Sequence, residues 1–215
     1  MKIIIDPGHG GKDPGAIGNG LVEKDLTMFL AMRIEERLDK YECDAEIFQL
    51  PNVSAMEDLQ TVIDAANDNK ADFFLSLHIN SVSDPSVNGF ESFRYPGSTD
   101  KYQRMIHKAV ADYLTGHGIR DRKAKEGNLK VLRETNMPSV LLEFVFLSSP
   151  HDAQILKNIK ILDKLANEVA WGLVQALGLM PKMERSEIDK LTDELRRMKQ
   201  EMKQMSGICS KYVAM

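Results

Sequence analysis

The sequence predicts an α/β fold, a mainly parallel, twisted six-stranded sheet with helices on both faces, followed by a C-terminal helical tail. Three observations lead there. Short apolar runs alternate with longer stretches of helical periodicity, the pattern of strands joined by crossover helices. Three of those runs, Ile3-Ile4-Ile5, Phe73-Phe74-Leu75 and Val140-Leu141-Leu142, are apolar at consecutive positions, as strands buried on both faces are. At Gly178-Leu179-Met180-Pro181 the chain changes character and a seven-residue periodicity takes over.

In order, Lys2 to Asp6 reads as the first strand. Glu23 to Leu38 reads as a helix with Leu26, Phe29, Leu30, Ile34 and Leu38 on one face. A second strand covers about Ala45 to Leu50. A helix from Met56 to Asn67 leads into a third strand at Asp72 to His78, and Gly89 to Tyr95 alternates like a more exposed strand. A helix over about Lys101 to Leu114 precedes a polar loop rich in Arg and Lys. Leu129 to Leu132 and Ser139 to Phe144 complete the strands, and Asp152 to Leu177 holds one or two closing helices.

The expected organisation is a globular domain over residues 1–180 and a helical tail over 181–215. In the tail, Ile188, Leu191, Leu195, Met198, Met202 and Met205 recur at intervals of 3, 4, 3, 4 and 3, the seam of a coiled coil. Glu194 and Lys199 then fall where they would pair across a parallel homodimer. A helix docked on its own domain, or a linker toward a wall-binding domain, are the alternatives.

With 215 residues, 43% hydrophobic and 28% charged, the chain can bury one good-sized core. A formal charge of -4 argues against a nucleic-acid partner. No run reaches membrane-spanning length, and no export signal precedes the first strand, so synthesis in the cytoplasm without membrane association is the expectation. Cys43 and Cys209 have neither the number nor the spacing of a disulfide framework or a cysteine metal site. Any metal is therefore left to histidine and carboxylate.

Open α/β sheets place their chemistry at the carboxyl ends of their strands. There the first strand runs into Asp6-Pro7-Gly8-His9-Gly10-Gly11, the third ends in His78, and the last apolar run ends in Glu143. Two imidazoles and a carboxylate aimed at one sheet edge are the raw material of a catalytic zinc site. The glycine turn alone would also suit a nucleotide phosphate, but neither nucleotide motif fits. No third glycine stands at the dinucleotide spacing, and Gly11-Lys12 is followed by Asp13 where a P-loop needs Ser or Thr.

Taken together, Asp6-Pro7-Gly8-His9-Gly10-Gly11, Glu23-Lys24, Ala66-Asn67, Ala71-Asp72, Ser76-Leu77-His78-Ile79-Asn80, Gly89-Phe90-Glu91, Val131-Leu132-Arg133 and Leu142-Glu143 resemble the zinc-dependent N-acetylmuramoyl-L-alanine amidases of sporulation cell-wall hydrolases and phage endolysins. The resemblance spans about residues 1–178. It implies that His9, Glu23 and His78 ligate one zinc ion per chain and that Glu143 is the catalytic carboxylate. The implied substrate is peptidoglycan, cut between N-acetylmuramic acid and L-alanine. Three such ligands leave a position on tetrahedral zinc open for water, and Glu143 remains to move the proton. Three departures touch substrate contacts rather than metal ligands. Val62 stands where the family usually has Arg, Val145 where it usually has Gly, and Gln49-Leu50-Pro51 lacks the usual Thr-Arg pair.

Other residues have plainer readings. Glu91 is a candidate acceptor that orients a ligand histidine. Arg133 is a candidate aid to the oxyanion. The Arg120-Asp121-Arg122-Lys123-Lys125 cluster reads as a solvated loop, with contact to stem-peptide carboxylates as the functional rival. His107, His117 and His151 read as helix-surface, loop and first-turn residues outside the site. The functional alternatives are another zinc peptidase, such as a cell-wall carboxypeptidase, and an inactive wall-binding module. Acting as an autolysin or endolysin, the enzyme would reach the wall after lysis or through a membrane lesion.

Overall fold

The computed structural model describes residues 1–48, 55–183, 188, 190–199 and 202. The elements in order are β1 (Lys2–Pro7), β2 (Ile17–Gly18), β3 (Leu21–Val22), α1 (Glu23–Leu38), β4 (Asp44–Ile47), α2 (Ala55–Asp68), β5 (Phe73–Asn80), β6 (Phe90–Arg94), α3 (Lys101–Thr115), β7 (Asp121–Glu126), α4 (Lys130–Glu134), β8 (Ser139–Phe146), α5 (Pro150–Leu156) and α6 (Ile159–Leu177). Six strands form one sheet in the order β4-β1-β5-β8-β6-β7. All neighbours are parallel except β6 and β8.

Side-chain alternation sorts the strand residues onto two faces. Ile3, Ile5, Leu75, Leu77, Val140 and Leu142 pack into a large core with α1, α3 and α6. Ile4, Phe74 and Leu141 point the other way, against Val62, Ile63 and Ala66 of α2 and Val131 and Leu132 of α4. Cover on both sides is why these strands read as unbroken apolar runs. The closing helices are capped at the level of single residues. The Ser149 side chain accepts from the Asp152 amide at the start of α5, that of Asn158 does so for α6, and Gly178 ends α6 in a left-handed conformation.

Two elements differ from the sequence reading. Leu129 to Leu132, expected as a strand, is instead the extended N-cap and first turn of the short helix α4, whose adjacent Val131 and Leu132 are both buried against α2. A four-residue segment with three apolar positions is too short for periodicity to distinguish helix from strand. The expected polar loop is β7, paired in parallel with β6 at the edge of the sheet. Edge strands tolerate charges that central strands exclude. The sheet therefore keeps six strands with one member exchanged. A two-residue hairpin, β2 with β3, also precedes α1. Gln49 and Leu50, expected at the end of the second strand, lie outside the described residues.

The chain divides into two compact units, Met1–Met180 and Pro181–Met215. In the second, residues 188, 190–199 and 202 are helical. Ile188, Leu191, Leu195, Met198 and Met202 are all exposed there, and Met205 lies outside the described residues. No helix among the described residues is long and apolar enough to cross a membrane.

Candidate metal centre

β1 delivers the first imidazole into a turn with unusual backbone demands. His9 adopts φ 67°, and the turn closes with a two-way backbone bridge between Gly10 and Asp13. A left-handed conformation costs a non-glycine residue on the order of 1 kcal/mol or more and persists only where its surroundings enforce it. Two glycines make room for the rings. A Cβ on Gly8 would sit 2.3 Å from Cε1 of His78, and one on Gly15 would sit 2.6 Å from Cδ2 of His9 and 2.7 Å from Oε2 of Glu23.

Glu23, the first residue of α1, stands between the two histidines. Its Oε2 lies 3.2 Å from His9 Nε2, and its Oε1 lies 3.1 Å from His78 Nδ1. Each oxygen also accepts a backbone amide, Oε2 from Ala16 and Oε1 from Ile79, both at 2.9 Å. The hairpin before α1 and the end of β5 are thus fastened to one carboxylate. His9 Nδ1 lies 2.7 Å from Oδ2 of Asp13. An ionised carboxylate can only accept, so Nδ1 carries a proton toward Asp13, and Nε2, which faces Glu23, is the nitrogen left for a ligand bond once its own proton is displaced.

The electrostatics follow from this crowding. The hydrogen bond to Glu23 raises the pKa of His9 to about 9 against the effect of burial, and Asp13 adds to the rise. Burial would raise Glu23, but hydrogen bonds from His78, His9 and the Ala16 amide outweigh it and hold the group well below the usual carboxylate range. His78 is likewise raised, because the bond to Glu23 overcomes the burial that lowers it. A carboxylate that keeps two imidazoles protonated marks a place where positive charge is stabilised. Nitrogen, nitrogen and oxygen donors within 4.8 Å of one another suit a zinc ion in place of those protons.

Glu143 pairs with His78 in the register of β5 and β8. It is half-buried, and its Oε2 is buried without a hydrogen bond from any described residue. Burial pushes its pKa up to about 7, with the positive charge of His78 opposing. An unpaired buried carboxylate oxygen is costly in a folded protein, and reaction sites are where such a cost is tolerated. Beside the cluster lies a cavity of about 230 Å³ lined by Asp6, Gly8, His9, Asp13, Leu59, Val62 and His78. A larger cavity of about 470 Å³ lies between α3 and α6, around Met105, Tyr113 and Trp171, and holds no member of the cluster.

The sequence reading of the surroundings needs three corrections. Glu91 does not orient a ligand histidine. It is buried on β6, where it pairs with Glu143 in register, accepts from Asn80 Nδ2 and Arg122 Nε at 2.9 Å, and is ion-paired with Lys125. The carboxylate on the histidine is Asp13, whose only sequence signal was its place four residues after His9 in the glycine turn. His107 is not on the helix surface. It is buried, with Nδ1 2.8 Å from Ser92 Oγ and Nε2 3.0 Å from Asp121 Oδ1. Arg122 and Lys125, read as part of a solvated loop, sit on β7 in contact with Glu91.

The remaining expectations have definite places. Arg133 bonds Asn128 and Glu134, His117 packs edge-on against Tyr113, and His151 contacts Asp152. Of the departures from the family pattern, Val62 lines the cavity, Val145 is fully buried in the core, and residues 49–51 lie outside the described residues.

Residues 3–175 match the protein family described as N-acetylmuramoyl-L-alanine amidase. The chain is 40% identical over 182 residues to the sporulation-specific N-acetylmuramoyl-L-alanine amidase of Bacillus subtilis, covering 83% of this chain and 69% of that protein. It is 36% identical over 186 residues to the endolysin of Bacillus phage SPP1, covering 84% and 67%. Among solved structures, it is similar to the catalytic domain of CwlV, an N-acetylmuramoyl-L-alanine amidase from Bacillus (Paenibacillus) polymyxa. That match has a TM-score of 0.76 at 28% identity, over 83% of this chain and 99% of that one. The N-acetylmuramoyl-L-alanine amidase of Clostridium difficile 630 gives a TM-score of 0.74 at 30% identity, over 82% and 96%.

Proposed function

The chain belongs to the N-acetylmuramoyl-L-alanine amidase family, and from that premise we propose that His9, Glu23 and His78 hold one zinc ion and that Glu143 carries the proton. The reaction is hydrolysis of the amide between N-acetylmuramic acid and L-alanine in peptidoglycan. The observation that supports these roles best is the convergence of three donor groups within 4.8 Å, one strand away from a buried carboxylate with an unused oxygen.

When bound, zinc supplies Lewis acidity to the scissile carbonyl and to water. The chain's own groups do the remaining work. Asp13 fixes the His9 tautomer, and Glu23 fixes the spacing of the two rings. Glu143 takes the proton of the attacking water as the C–O bond forms, then gives it to the amine nitrogen as the C–N bond breaks. A pKa near 7 suits both halves of that transfer. No covalent enzyme intermediate is needed.

Metal analysis and wall digestion test this reading together. Purified protein should hold about one zinc per chain, and His9→Ala and His78→Ala should each lose most of the metal and fall to background activity. Digested walls should gain alanine amino termini. New C-terminal carboxylates instead would favour a carboxypeptidase, which needs a cation for the free peptide end. No Lys or Arg lines the cavity among the described residues.

We also assign residues 1–180 to catalysis and the tail to pairing through its exposed stripe. Full-length protein should sediment as a dimer and a truncation after Met180 as a monomer. A monomeric full-length chain at tens of micromolar would remove the pairing role. The endolysin and cell wall amidase relatives support a site of action at the cell wall, which we propose this chain reaches after lysis or through a membrane lesion.

A further inference from the structure

Asp6, Ser76, His78, Glu143 and Glu91 alternate onto the same face of the sheet as Ile4, Phe74 and Leu141, so they form a row across β1, β5, β8 and β6. The two ends of this row differ in charge. At the α2 end, the cavity offers Leu59 and Val62 as an apolar wall, with Asp6 and Asp13 as its acidic lining groups beside the two ligand histidines. No lysine or arginine occurs between Lys40 and Lys70, a stretch with seven acidic residues, so β4 and α2 carry no cation, and none lines the cavity among the described residues. Lys130 reaches α2 from α4, but its Nζ is 2.7 Å from Oε1 of Gln60, and it does not line the cavity. At the other end, Arg122 and Lys125 of β7 share the single carboxylate of Glu91, leaving one net positive charge. Lys125 keeps 39% of its side chain exposed.

The substrate has the same asymmetry. On the acyl side of the scissile amide lie a lactyl group and a neutral sugar, and on the amine side lies a peptide with free carboxylates. We propose that the acyl, sugar-bearing side occupies the α2 cavity and that the peptide side crosses Glu143 toward Lys125 and Arg122, which recognise the carboxylate of the second stem residue. This orientation rests on the amidase reading above. It also places the leaving amine on the Glu143 side of His78, where its proton must arrive. Although β7 is two strands from β8, the charged heads of Lys125 and Arg122 reach back to Glu91 on β6, one strand spacing of about 4.8 Å from Glu143, and a carboxylate one residue beyond the alanine lies roughly 6 Å from the scissile nitrogen.

Two soluble substrates decide the matter, N-acetylmuramoyl-L-alanyl-D-glutamate and the same compound with its α-carboxyl amidated. The parent enzyme should favour the acid by about two- to tenfold in kcat/KM, less at high salt. Lys125→Gln should bring the ratio near one by raising KM for the acid, with kcat, zinc content and thermal midpoint near the parent's. Leu59→Phe, which narrows the cavity used by both compounds, should lower kcat/KM for both alike and keep the ratio. Equal cleavage of the two by the parent, a preference for the amide, or an unchanged ratio in Lys125→Gln would overturn the orientation alone. No cleavage of either by zinc-loaded protein would overturn the amidase reading and the orientation with it.

Discussion

At the centre of the sheet, β1, β5 and β8 are held by apolar side chains on both faces, whereas at its edge β7 is held largely by polar contacts. Gln103 donates to the Lys125 carbonyl, His107 reaches Asp121, and Arg122 and Lys125 grip Glu91. The centre positions the metal cluster and Glu143. The edge positions cations beside them. Burial of apolar area fixes a strand without naming its partners, while hydrogen bonds at the edge fix register through particular atoms. Loss of a central group should therefore stop the chemistry, and loss of an edge group should loosen the fold or shift specificity while chemistry continues.

The largest effect expected on that comparison is at Glu143. Replacing it by Gln keeps its shape and removes its basicity, so the rate should fall by roughly 10²–10⁴ with zinc content unchanged. Zinc analysis beside steady-state kinetics checks this, and loss of zinc would make Glu143 a ligand instead. Asp13→Ala comes next. Without the acceptor on Nδ1, His9 loses its tautomer and orientation, and metal affinity or activity should drop roughly 10–100-fold. An affinity equal to the parent's in a competition titration would show that the glycine turn alone orients the ring.

Proton linkage sharpens the same centre. In metal-free protein His9 stays protonated until pH passes about 9, yet zinc needs the neutral ring. Uptake therefore expels a proton, and affinity should climb up to about tenfold per pH unit for each proton displaced, levelling off above pH 9. Calorimetry in buffers of different ionisation enthalpy counts those protons. The smallest effect belongs to the edge. His107→Ala removes a buried ring and its bonds to Ser92 and Asp121, which keep Gln103 and Lys123 as partners, and should cost about 1–3 kcal/mol in urea unfolding while zinc stoichiometry stays at one. A zinc-depleted His107→Ala would mean that edge and centre are coupled.

The same contrast explains what could be read from the sequence. Consecutive isoleucines or leucines can only be sheltered between two layers, so β1, β5 and β8 and the long helices α1, α3 and α6 were legible, and so were the strand-end positions of His9, His78 and Glu143. β7 was not, because Asp121 to Glu126 carries no apolar alternation and owes its conformation to residues on β6 and α3. α4 was too short to show a period. His107 left a trace that went unused: it lies four residues after Gln103, three before Val110 and seven before Leu114, all buried, so helical spacing alone placed it inside. Asp13 was hidden by its surroundings, since an aspartate among glycines reads first as a turn former.

Glu23 carries one more consequence. Because its two oxygens are already anchored by the Ala16 and Ile79 amides, the donor set is assembled before any ion arrives. Metal removal should therefore empty a socket rather than dissolve it. A chelated sample can be stored, handled and reloaded with zinc or a spectroscopic substitute such as cobalt in the time of mixing, with no refolding step between the apo and the active enzyme.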